Sequence, residues 1–92
     1  METTNYITEK TFNKWIEERN KTMLSFDLKA FRAFWDKWLK KGMYKVQLPK
    51  DDIIAMAALC KAILMWEGSP EDLKTRASLW LIANGFTTEV FK

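Results

Sequence analysis

Hydrophobic residues recur along this chain at three- and four-residue intervals, interrupted where helix-terminating residues stand. From about Thr8 to Asn20, Phe12, Trp15 and Ile16 share one helical face, and Lys14, Glu17, Glu18 and Lys21 fill the opposite one. A break is expected around Lys21 to Phe26, with Ser25 or Asp27 capping the next helix. The second segment, about Leu28 to Lys41, has the clearest stripe. Leu28, Phe31, Phe34/Trp35 and Trp38/Leu39 alternate with Lys29, Arg32, Asp36, Lys37, Lys40 and Lys41. Lysines crowd its last turn, where the exposed carbonyls favour cations, and Gly42 is placed to end it.

Met43 to Pro49 changes period. Tyr44, Val46 and Leu48 alternate with Lys45 and Gln47, but no second strand is offered for pairing. The segment is expected to be an extended connector laid across the bundle, its apolar side chains turned inward, with Leu48 extended because Pro49 follows it. A third helix, about 50–67, carries Ile53, Ile54, Met56, Ala57, Leu59, Cys60, Ile63, Leu64 and Trp66 on most of its sides. A helix apolar nearly all round is expected to be buried by several neighbours, with Lys61 reaching out to the surface. The fourth, about 70–84, is expected to begin with Ser69 as cap and Pro70 in the first turn. Leu73, Ala77, Trp80 and Leu81 form its inner face, and Gly85 ends it with Phe86 folding back on Leu81. The remaining tail is anchored through Val90 and Phe91. The pattern predicts an all-α fold: one domain over residues 1–92, a compact bundle of about four helices with an extended connector between the second and third.

Composition makes that fold affordable without staples. Aromatics are 14% of the chain, five of them Trp and six Phe, and each can bury roughly 150–250 Å². One cysteine, Cys60, excludes an intramolecular disulfide and reads as a small buried hydrophobe. With no histidine, no metal site is expected. The N-terminus lacks the basic start and apolar run of a targeting segment, and the apolar stretch Ile53 to Trp66 is too short to cross a bilayer. A cytoplasmic protein with no membrane partner is expected.

The same inventory argues against catalysis. Without histidine there is no Ser–His or Cys–His nucleophile system. Gly42, Gly68 and Gly85 each read as helix terminators rather than as parts of a phosphate-binding loop. The paired carboxylates Asp51/Asp52 and Glu71/Asp72 sit at helix starts, where the helix dipole explains them. No catalytic residue and no cofactor are assigned.

Two binding readings remain. Thirteen aromatics and five methionines exceed what a small interior readily holds. Phe31, Phe34, Trp35 and Trp38 span more than one narrow stripe, so this face is the expected contact region for another protein or a second copy of the chain. A homodimer through these aromatics would satisfy both the core and the surface. The alternative is nucleic acid. Residues 1–50 hold eleven Lys/Arg against six Asp/Glu, whereas residues 51–92 hold four against six. Lys37, Lys40, Lys41, Lys45 and Lys50 could ring the end of the second helix, with Tyr44 or Trp38 as a stacking surface. A helix-turn-helix formed by the last two helices is disfavoured, because Glu71 and Asp72 would face phosphates.

Across most of its length the chain resembles small proteins encoded by phages and prophages of Gram-positive or gut bacteria. The resemblance rests on Trp15 with Glu18-Arg19-Asn20, the stretch Phe26-Asp27 to Trp38, Leu48-Pro49 with Asp51-Asp52, and Trp80-Leu81-Ile82-Ala83-Asn84-Gly85-Phe86. It implies a non-enzymatic accessory protein that binds and modulates a larger host or phage protein, and it assigns no site.

Overall fold

The computed structural model describes residues 8–90. Among these, the chain forms four helices and no strand: α1 (Glu9–Ser25), α2 (Leu28–Lys40), α3 (Asp52–Met65) and α4 (Glu71–Ala83). α1 packs mainly on α2, both lean on α3, and α4 packs on α3, giving a body of 46 × 26 × 24 Å. The all-α bundle read from the periodicity is the observed architecture.

Local chemistry explains most of the ends. Thr8, Asp27 and Asp51 each turn a side-chain oxygen onto a backbone N–H of the following first turn, at 3.1, 3.0 and 2.8 Å. Asp51 is therefore the cap of α3 rather than part of its first turn, and that helix is shorter than expected at both ends. α2 and α4 close alike. Gly42 and Gly85 take positive φ, and the amides of Met43 and Phe86 reach back to the carbonyls of Trp38 and Leu81 at 3.0 and 2.8 Å. The Phe86 ring then stacks on Trp80, with centroids 6.0 Å apart.

Two further boundaries depart from expectation. α1 continues five residues past Asn20, because nothing there stops a helix and the continuation seats Met23 in the core. It ends at Phe26, whose left-handed backbone (φ 51°) costs a non-glycine residue about 1–2 kcal/mol. The Phe26 ring offsets that cost by packing half-buried on the core, with the Arg76 guanidinium 4.7 Å above it. Ser69 does not cap α4. Its hydroxyl turns inward and donates to the Ile63 carbonyl at 2.6 Å, satisfying one of the acceptors that the end of α3 leaves open. Pro70 takes the cap position without a side-chain bond, and Glu71 and Asp72 follow in the first turn.

α3 is the axle. Leu59, Cys60 and Ile63 have no exposed surface, and they are joined by Leu73, Ala77 and Leu81 of α4, Met23 of α1, Phe31 of α2 and Leu48 of the connector. Burial pushes the Cys60 thiol up to about 11, so it stays protonated at neutral pH. α3 is not enclosed throughout, however. Ile53 and Ile54 at its start and Met65 at its end are about half exposed, where it outruns its neighbours.

The connector follows its expected path only in part. Leu48 is buried and Tyr44 half-buried, but Val46 is 69% exposed, because the segment turns repeatedly instead of holding a two-residue alternation. It is tied down by polar bonds. Trp35 Nε1 donates to the Val46 carbonyl at 3.2 Å, and Arg32 donates to the Lys50 carbonyl and to Asp52 at 2.8 and 2.9 Å. Lys61 reaches the tail, where its Nζ donates to Thr87 Oγ1 and to the Glu89 carbonyl. Val90 is half-buried; the expected anchoring through Phe91 lies outside the described residues.

Candidate interaction site

The expected aromatic contact face lies mostly inside the molecule. Phe31, Phe34 and Trp38 are buried, Trp38 to 1% exposure, and only Trp35 keeps appreciable surface. The quartet is also divided. Phe31 belongs to the main core around α3, while Phe34 packs with Trp15 and Tyr44 where α1, α2 and the connector meet. There Trp35 stacks on Tyr44 with centroids 3.8 Å apart and planes 14° from parallel, and Trp15 Nε1 donates to the Tyr44 hydroxyl at 3.2 Å. Burial raises the Tyr44 pKa against that bond, keeping the hydroxyl neutral. The helical arc that looked too wide for one stripe serves two packing centres.

Glu18, read from the pattern as solvent-facing, is the clasp between α1 and α2. Its Oε1 accepts from Trp38 Nε1 at 3.0 Å, and its two oxygens accept from Lys37 Nζ at 2.8 and 3.0 Å. The Lys37 bond lowers the carboxyl below its ordinary value; partial burial works the other way, and the Trp38 bond adds to the lowering. Lys37 is thus drawn out of the expected basic rim by an ion pair. Its Nζ and that of Lys41 lie 5.3 and 5.7 Å from the centroid of the Trp38 ring. Lys40 and Lys45 are exposed and have no ion-pair partner among the described residues.

A different feature emerges on the side of Phe31 that faces α1 and the end of α3. A cleft of about 280 Å³ is lined by Arg19, Met23, Phe31, Ala62, Met65 and Trp66. Met23 and Phe31 are its buried floor, and Met65 is a half-exposed lip. Among the described residues, Arg19 is its sole ionisable lining residue. The Arg19 guanidinium carbon lies 5.2 Å from the Trp15 ring and 5.8 Å from the Trp66 ring, within cation–π reach of both. Nε and Nη2 donate to Asn20 Oδ1 at 3.1 and 2.9 Å, which fixes the plane of the fork.

Gly68 holds the far wall in place. A β-carbon there would come within 2.7 Å of the Trp66 indole, so glycine is required for close approach, not merely to end α3. The periodicity did not mark Arg19 as special. The signal present was its i, i+4 spacing from Trp15, which puts the guanidinium over the indole on one helix face.

Large aliphatics also stand on the outward face of α4, where Leu79 and Ile82 are 61% and 63% exposed. Among the described residues, no group of three or more His, Cys, Asp or Glu side chains could hold a metal ion, and no helix is long and apolar enough to cross a membrane. No family model matches the chain, and no curated protein or solved structure matches it.

Replacing Glu18 by Ala leaves the buried Trp38 N–H without its partner and is expected to cost about 1–3 kcal/mol. Glu18→Gln keeps an acceptor and removes only the charge. Because folding lowers the Glu18 pKa, the charge contributes stability above the ordinary carboxylate range and loses it as pH falls through the folded-state value. In denaturant titrations the Gln variant should therefore be less stable than wild type near neutrality, with the deficit shrinking as pH falls below the ordinary carboxylate range. A deficit of equal size at neutral and acidic pH would remove the ion pair from the account.

Proposed function

We propose that this chain is a small non-catalytic helical module that binds another protein, using the cleft between α1, α2 and the end of α3 as its contact site. The observation that carries the reading is the cleft itself: an apolar depression with a buried floor of Phe31 and Met23 and, among the described residues, a single cation at its edge. Binding sites combine this predominantly apolar lining with a few placed polar groups. Phe31 remains part of the site, while Phe34 and Trp38 hold the scaffold. An accessory role in the cytoplasm, in the manner of the phage-type proteins this chain resembles, is consistent with that design.

A photo-crosslinking residue placed at Met65, on the lip, is expected to give discrete protein adducts in the native cell. The same residue at Thr75, exposed on α4, should not give them. Adducts absent from position 65, or identical from both positions, would place the contact elsewhere.

The second reading is a nucleic-acid-binding accessory, favoured by the exposed Lys40, Lys41 and Lys45 at and just past the end of α2 and by the Trp35–Tyr44 stack beside them in sequence. Phosphate contacts would make binding of labelled DNA or RNA fall steeply with salt and disappear in a Lys40→Glu/Lys45→Glu variant. Fluorescence anisotropy showing no binding at low salt, or binding untouched by the two substitutions, sinks it.

A further inference from the structure

The dimensions and charge of the cleft narrow the kind of partner it takes. A liquid water occupies about 30 Å³, and pockets that enclose drug-sized ligands begin near roughly 300 Å³. An open space of about 280 Å³ lies at the small end of that range and admits one large side chain. A side chain seated there would be carried by a polypeptide segment running over the half-exposed lip at Met65. Its lining selects an apolar group. The Phe31 ring and the Met23 and Met65 thioethers offer polarisable, adaptable surface suited to an aromatic or leucine-like residue.

Arg19 adds the second requirement. A guanidinium has five N–H donors, and the two bonds to Asn20 Oδ1 engage one on Nε and one on Nη2, leaving three. With Asn20 on one edge and indoles of Trp15 and Trp66 nearby, the fork is held in place before any ligand arrives. Little conformational entropy remains to be lost when it bonds. Among the described residues no carboxylate lines the cleft to neutralise it, and the chain as a whole is +3.

We propose that the cleft recognises an acidic peptide segment, in which one large apolar residue enters between Phe31 and Trp66 while an Asp or Glu beside it accepts from the free N–H groups of Arg19. This rests on the reading of the cleft as the contact site and specifies its partner. Self-recognition is the rival occupant, since Asp52 and the exposed Ile53 of a second copy carry similar chemistry.

The test is selection of a random peptide library on the full chain, with Ala62→Phe as a counter-selection that fills the cleft. The enriched sequences should pair a large apolar residue with an adjacent Asp or Glu. In synthetic versions, exchanging that acid for its amide should weaken binding about tenfold, the scale of one charge-assisted hydrogen bond. Arg19→Lys, which keeps the charge but loses the fork, should abolish most of that difference while leaving the circular dichroism of the fold unchanged. Enriched peptides that are apolar without an acid, or amide exchange without effect, would overturn the acidic-peptide proposal and leave the cleft as a contact site. Enrichment equally strong on Ala62→Phe would overturn both. Concentration-dependent self-association abolished by Ala62→Phe would assign the cleft to a second copy and overturn the acidic partner.

Discussion

The rest of the structure depends on the burial of α3. Its middle, from Ala55 to Ile63, presents apolar side chains in nearly every direction, and such a helix is stable in water only when other elements cover it. α4 covers one side with Leu73, Ala77 and Leu81, and small residues at Ala55, Ala57 and Ala77 let the backbones approach. α1, α2 and the connector supply Met23, Phe31 and Leu48 to the others. The hairpin between α3 and α4 is sealed from within by Ser69, whose hydroxyl goes to the Ile63 carbonyl rather than to the helix it precedes. The aromatic cluster of Trp15, Phe34, Trp35 and Tyr44 is a second packing centre that fixes α1, α2 and the connector to one another.

The cleft follows from the same arrangement. α1 lies chiefly along α2 and touches α3 less, and the cleft opens between α1, α2 and the end of α3. Trp66 leaves the helix there with extended backbone, and its indole is held over Gly68. Arg19 closes the remaining gap as a cation between rings, which lets a charged group sit beside the core while its outer N–H groups stay available. A leucine at position 19 would fill the same space and leave nothing to recognise an acid.

What could be read from the sequence was what local chemistry decides. The number of helices, the cap at Asp27 and the glycine-ended turns at Gly42 and Gly85 depend on a few neighbouring residues, and each was legible. What escaped depends on partners distant in the chain. Glu18 sits in a charged row, yet it faces a tryptophan twenty residues later. Ser69 carries the signature of a cap, but a carbonyl six residues earlier claims it. Val46 alternates correctly with its neighbours and still points outward, because the connector has no partner strand to enforce a register. The aromatic arc of α2 suggested surplus surface, and only the positions of Trp15 and Tyr44 reveal that a second cluster absorbs it.

The central claim, that the cleft beside Arg19 is where a partner docks, can be read directly from the tryptophan side chains. Each of the five indole N–H groups gives its own signal in a nitrogen–proton correlation spectrum. On titration with an acidic, apolar peptide, the account predicts that the signals of Trp66 and Trp15 move together. Those of Trp38, bonded to Glu18, and of Trp80, stacked on Phe86, should stay in place. Movement confined to Trp38 or Trp80, or binding that leaves Trp66 unmoved, would contradict it.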